Sequence, residues 1–134
     1  MSVVVDASLV VAALTDTSSV GRWAEEIVLA PALAAPHLLP AETANVLRRA
    51  ELAGLLSSDA TASAHSELLA LRLRLVGYSS IAERAWELRR NVTSYDAWYV
   101  ALAERLGVPL ATTDERLTRA SGPRCEFLTP PEPS

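Results

Sequence analysis

Four acidic side chains in this sequence stand where a strand has just ended or a helix is just beginning. They are Asp6 in V-V-V-D-A-S, Glu42 in P-A-E-T-A-N-V-L, Asp96 in S-Y-D-A-W-Y-V-A-L-A and Asp114 in L-A-T-T-D. In an open α/β sheet such places share one rim, outside the carboxyl ends of the strands, where these folds bind ligands. Four carboxylates at one rim repel each other unless a cation lies among them. Their oxygens are hard donors and no histidine or cysteine accompanies them, so the pattern selects Mg²⁺ or Mn²⁺ over zinc. A divalent ion of that kind activates water and steadies phosphate oxygens during an in-line displacement. Asp6 and Asp96 are the expected direct ligands, and Glu42 and Asp114 are expected to hold a second ion or to position water. Ser8 and Thr112 are the hydroxyls placed to orient those carboxylates.

Each acid also has a purely structural reading. Asp6 and Asp114 can cap the helices that follow them. Thr93-Ser94-Tyr95-Asp96 fits a capping box, and Glu42 falls in a first helical turn, where the helix dipole favours negative charge. Yet three of the chain's five aspartates occupy these positions, and no basic residue directly flanks Asp6 or Asp96.

The elements that must position the acids follow from pattern. Val3 to Val5 is a β-branched run that reads as a buried strand, and helices follow over Ser8 to Leu14 and Val20 to Leu29. Leu33 to Ala35 is a weak second strand. Pro40 opens a helix that Gly54 stops, and Ser58 or Asp59 caps another that runs to about Leu69. Leu71 to Val76 alternates with period two, predicting a third strand, and a helix is expected over Ile81 to Arg90. A helix from Ser94 to Leu106 ends at Gly107, with Pro109 beyond. Leu110 to Thr112 is a fourth strand, Glu115 to Ala120 a short helix and Glu126 to Leu128 a fifth strand, and the Pro-rich end from about Thr129 is expected to fray. This alternation predicts one α/β domain over residues 1–134, with a parallel sheet between helices.

Composition narrows the chemistry. The 134 residues are half hydrophobic and carry a net charge of −4, so bulk charge does not draw the chain to nucleic acid, and any such contact must be local. All twelve basic residues are arginine, which excludes a lysine nucleophile, a Schiff base and a phosphate-loop lysine. The single Cys125 excludes an internal disulfide and a Cys₄ or Cys₂His₂ zinc site. The start lacks a signal peptide's basic region and cleavage motif, and no apolar run is long enough to span a bilayer. No membrane association and a cytoplasmic location are expected.

The four motifs, in this order and spacing, resemble the PIN-domain ribonucleases, specifically the VapC-type toxins of type II toxin–antitoxin pairs. The similarity covers nearly the whole chain: V-V-V-D-A-S, E-T-A-N-V-L, Y-D-A-W-Y-V-A-L-A-E-R-L-G and L-A-T-T-D-E-R-L. It implies a PIN-like three-layer α/β/α sandwich with a five-stranded parallel sheet. It further implies Mg²⁺- or Mn²⁺-dependent endonucleolytic cleavage of RNA, with structured tRNA or rRNA as targets, a homodimer, and a cognate VapB-like antitoxin. The family's acids fall on Asp6, Glu42, Asp96 and Asp114, and its hydroxyls on Ser8 and Thr112. Some relatives carry an acid where this chain has Arg116.

Arginines are the residues suited to RNA phosphate. Arg48, Arg49, Arg89, Arg90 and Arg116 are candidates, Arg116 foremost because it adjoins Asp114. Solvated ion pairing within a helix, such as Glu83 and Glu87 opposite Arg90, is the competing role. His37 and His65 lack partners suited to catalysis, and Cys125 reads as a small apolar strand residue. Trp98, Tyr99 and Leu102 form a stripe expected in the core. Leu14, Trp23 and Ile27 could line a partner groove, with burial as their default. A receiver-type phosphoacceptor is disfavoured by the missing lysine. The main alternative to a nuclease is a catalytically weak RNA- or partner-binding module of the same fold.

Overall fold

Three consecutive valines, Val3 to Val5, have no solvent exposure at all. A strand apolar on both faces must be covered on both, as a central strand of a parallel sheet is. The computed structural model, which describes residues 2–132, places them in β1 (Ser2–Val5) at the middle of a five-stranded sheet. Around it lie β2 (Ala32–Pro36), β3 (Leu73–Val76), β4 (Leu110–Ala111) and β5 (Phe127–Leu128), in the order β3-β2-β1-β4-β5. Every pairing is parallel.

The helices are α1 (Ala7–Thr15), α2 (Ser19–Val28), α3 (Leu39–Leu52), α4 (Ser58–Ala70), α5 (Ala82–Glu87), α6 (Ser94–Leu106) and α7 (Glu115–Thr118). α1 packs on α2, α3 and α4, while α6 lies along β1, β2 and β4 with α5 against it. The result is a three-layer α/β/α sandwich. α6 buries Ala97, Tyr99, Val100, Ala101, Leu102 and Ala103, and its three small alanines let the helix come close to the sheet. Its ends fall where the sequence puts them: the Thr93 hydroxyl accepts from Asp96 N, and Gly107 takes the left-handed conformation, φ 67°. Pro109 then offers its carbonyl to Val4 N at 3.0 Å, which leads the chain into β4 beside β1.

Gly21 in α2 is needed for a close approach. A Cβ there would lie 1.6 Å from the Asp16 carbonyl oxygen, so the turn joining α1 to α2 can fold back only over glycine.

Three expectations need correction. β3 begins at Leu73, because Leu71 still closes α4 through its amide to the Leu68 carbonyl. As the edge strand it leaves Arg74 and Leu75 exposed, so the period-two pattern there marks a thinly covered face. The helix expected over Ile81 to Arg90 is only α5. The amides of Leu88, Arg89 and Asn91 bond three residues back, a tightened ending. The Asn91 side chain fixes that ending by donating to the Ser121 carbonyl at 2.6 Å. Arg90 therefore leaves the helical register, and the ion pairs expected for it with Glu83 or Glu87 do not form among the described residues. Arg84 instead pairs with Glu104 at 2.6 Å and joins α5 to α6. Cys125 lies just before β5 rather than in it. At the C-terminal end, Thr129 to Glu132 carry no regular structure and line a cleft with Val20 and Arg119; the last two residues lie outside the described part.

Candidate active site

Strand register builds the centre of the site. Val4 faces Leu110 and Val5 faces Ala111, and Asp6 N continues the ladder to the Ala111 carbonyl. The next residues, Asp6 and Thr112, are thereby set side by side at the carboxyl ends of β1 and β4. The Thr112 hydroxyl donates to Asp6 Oδ2 at 2.5 Å, and the Ser8 hydroxyl donates to Oδ1 at 2.7 Å. Leu9 N also donates to Oδ1, at 2.9 Å, so Asp6 is at once the N-cap of α1 and the hub of the site. Each hydroxyl has one proton. With both given to Asp6, the two oxygens serve as acceptors: Ser8 Oγ from Thr113 N and Thr112 Oγ1 from Asp114 N, both at 3.0 Å. The β4–α7 turn is thus tied to the end of β1.

The other acids reach the same rim from helix starts. Asp96 stands in the first turn of α6 and Glu42 in the first turn of α3. Asp114 caps α7, its Oδ1 accepting from Arg116 N and Leu117 N. Tyr99, one turn beyond Asp96, donates its buried hydroxyl to Glu42 Oε1 at 2.8 Å and so joins α6 to α3.

Electrostatics shows that these groups feel one another. Asp6 is only 7% exposed. Burial pushes its carboxyl up to about 6, against the pull of the Thr112, Ser8 and Leu9 hydrogen bonds and with added repulsion from Asp96. Asp96 is raised too, first by burial and then by Asp114 and Glu42, while the Thr93 hydrogen bond and Arg116 oppose the rise. The Tyr99 phenol is pushed far above its ordinary range by burial and by the charge of Glu42, so it is a fixed donor. Neither Asp6 nor Asp96 has a cationic partner in an ion pair among the described residues.

Residues 3–123 match the PIN domain family. The chain belongs to that family. Among relatives, this PIN domain is similar to ribonuclease VapC1 of Mycobacterium tuberculosis, 45% identical over 92% of this chain and 94% of the relative. Its fold matches that of PAE2754 from Pyrobaculum aerophilum, with a TM-score of 0.69 and 23% identity over 95% of this chain and 83% of the other. It also matches VapBC2 from Rickettsia felis, a structure bound to a DNA fragment from their promoter. There the TM-score is 0.66, with 15% identity over 96% of this chain and 98% of the other. The chain is a PIN domain of the VapC type.

This PIN domain brings Asp6, Ser8, Thr112 and Asp114 into one hydrogen-bonded unit and sets Asp96 and Glu42 beside it. Among the described residues no three His, Cys, Asp or Glu side chains converge as a ready-made ligand cluster. Glu42 is turned to Tyr99, and Asp114 to its own helix. The donor set nonetheless fits a hard divalent cation: oxygen ligands only, two raised carboxyls and no ion-paired side chain on either among the described residues, in keeping with the few protein ligands that Mg²⁺ takes.

Arg116 is exposed on α7 and shares a cleft with Asp96 and Asp114, together with Arg89 and Arg90, whereas Arg48 and Arg49 lie exposed on α3. His37 and His65 are both exposed, His37 directly after β2 and His65 on α4. Burial first, and then the charge of Glu104, pushes the Cys125 thiol up to about 11, so it is protonated and a poor nucleophile. Ile27 is in the core, and Leu14 and Trp23 pack half-buried against it. The residue that sequence reading undervalued is Tyr99. Its signal was spacing: a tyrosine three residues after Asp96 shares that helix face, and a buried phenol needs an acceptor.

Proposed function

We propose that this PIN domain is a Mg²⁺- or Mn²⁺-dependent endoribonuclease, the toxin of a toxin–antitoxin pair. The observation that carries the reading is the Asp6 carboxylate: buried, raised by that burial, held by Thr112, Ser8 and Leu9, and facing Asp96 without a cationic partner. Keeping such a charge ready without a salt bridge has a cost that a bound cation repays. Similarity to ribonuclease VapC1 supports the substrate class, and similarity to the VapBC2 assembly supports a VapB-like partner.

Asp6 and Asp96 would hold the ion directly, with Glu42 and Asp114 holding a second ion or the waters around the first. When bound, the cation supplies water activation and neutralisation of phosphate charge. Thr112 and Ser8 fix both oxygens of Asp6, so the carboxylate does not reorient when substrate arrives. Tyr99 occupies Glu42 Oε1 and leaves Oε2 to orient the attacking water. Asp114 likewise gives Oδ1 to its helix and keeps Oδ2 for solvent or substrate. Arg116 adds the cation that offsets phosphate charge nearest these acids. Water attacks phosphorus in line and the P–O3′ bond breaks, leaving a 5′-phosphate and a 3′-hydroxyl. A structured RNA with an accessible loop, such as tRNA or rRNA, suits the rim better than a duplex. A homodimer working in the cytoplasm completes the reading.

The test is digestion of total cellular RNA by purified, antitoxin-free protein in Mg²⁺ or Mn²⁺, in EDTA, and with Asp6→Asn. Discrete fragments that disappear in EDTA and with the variant are expected. A folded protein that binds RNA yet cleaves none in either metal would mean a binding module instead.

A further inference from the structure

Beside the acids, the turn after α5 and the short helix α7 enclose an open cleft of about 500 Å³, lined by Arg89, Arg90 and Arg116 and bounded by Asp96 and Asp114. The three arginines are not equivalent. Arg89 is already engaged: its guanidinium lies 4.6 Å from the centre of the Trp86 ring, and its Nη1 donates to the Trp86 carbonyl at 2.9 Å. Arg90 and Arg116 are exposed and take part in no ion pair among the described residues, although acids stand close by. Both are held firmly at the backbone. Arg116 N donates to Asp114 Oδ1 at 3.0 Å, and the turn that carries Arg90 is pinned by Asn91 to the Ser121 carbonyl.

A polyanion approaching this molecule meets a net charge of −4 and a rim of carboxylates. It can bind only where fixed cations outweigh that repulsion locally. Two unpaired guanidiniums on braced backbone, opening onto Asp96 and Asp114, meet the requirement, and their planar forks match phosphate oxygens. We propose that this cleft is the track by which a single RNA strand reaches the acids, with Arg90 and Arg116 clasping consecutive phosphates. The assignment rests on the nuclease reading and adds what that reading lacks: the side from which the strand arrives and the residues that hold it. Arg90 and Arg116 act as positioning residues, so their loss should appear in substrate affinity and its salt dependence more than in turnover.

The experiment measures binding of a fluorescent single-stranded RNA of mixed sequence, about twelve nucleotides long, to the full chain carrying Asp6→Asn in Mg²⁺. Arg90→Gln and Arg116→Gln are compared singly and together, with Arg72→Gln and Arg74→Gln, at the opposite end of the sheet, as controls. Each cleft substitution should raise Kd about tenfold and lower the slope of log K against log salt by about 0.7, the single-strand value per phosphate contact. Lysine at either position should restore the slope but only part of the affinity, since it lacks the bidentate fork. The controls should bind as the parent does. Unchanged affinity and salt slope in the cleft double variant would overturn the proposal, whatever the wild type does to RNA. Failure of wild-type protein to cleave any RNA would count against the nuclease reading instead, and arginine-dependent binding would then still support the track.

Discussion

At the scale of single residues, the site is governed by how Asp6 is buried. Its carboxyl stands at about 6 in the folded chain against an ordinary 3.8, so the folded state binds that proton more tightly than the unfolded state does. The stabilising contribution is fully present below about pH 3.8 and is lost as pH rises through about 6. In EDTA the melting temperature of the wild type should therefore fall between about pH 4 and pH 6 and level off above that. Asp6→Asn should flatten that part of the profile while abolishing cleavage. Parallel profiles for wild type and variant would contradict the assignment. Tyr99 calls for a subtler test. Removing its hydroxyl in Tyr99→Phe frees Glu42 Oε1 but keeps the ring in the core. A loss of about 1 kcal/mol of stability and a roughly 10- to 100-fold fall in cleavage rate are expected, read by melting and single-turnover kinetics. Wild-type turnover in that variant would make the hydrogen bond structural only.

At the scale of elements, helix starts do most of the positioning. Asp6 and Asp114 are caps in the ordinary sense, and the Thr93 cap holds Asp96 in place. The structural and functional readings of these acids are thus compatible, because a carboxylate oxygen that accepts a cap or hydroxyl hydrogen bond keeps lone pairs for a further partner. The geometry between α1 and α2 depends on Gly21. Helix propensity alone favours alanine over glycine by about 1 kcal/mol, whereas a Cβ at 1.6 Å from the Asp16 carbonyl forces the backbone apart. Gly21→Ala should therefore destabilise the domain by about 1–3 kcal/mol, measured by urea denaturation; a gain in stability would mean that the turn relaxes freely. Across α5 and α6, burial raises Glu104, but hydrogen bonds from Arg84 and Arg124 N outweigh it and hold the carboxyl below its ordinary range. That contact ties α5 and the segment before β5 to α6.

At the scale of the whole molecule, the acid rim is an electrostatic load on the fold. Divalent cation should relieve it and raise the melting temperature by mass action. At about a hundredfold excess over Kd the gain is about 2.7 kcal/mol, on the order of 10 °C for a domain of this size. Asp6→Asn with Asp96→Asn should erase the shift, which differential scanning fluorimetry with Mn²⁺ would read; an equal shift in the double variant would place the ion elsewhere. Much of this architecture was legible in the chain itself. The buried valine run, the Thr93 cap with its closing Gly107, and the acids at strand and helix boundaries are local signals, because burial pattern and capping are decided within a few residues. The end of α5, the start of β3 and the separation of Arg90 from Glu87 were not legible, since tertiary contacts such as Asn91 with Ser121 decided them. The pairing of Asp6 with Thr112 depends on strand register across 106 positions, and the bond from Tyr99 to Glu42 depends on how α6 lies against α3. Sequence alone determined which groups this protein brings to the rim. Only the tertiary structure decided which oxygen each donor holds and which arginines stay unpaired, because hydrogen bonds and ion pairs form between neighbours in space.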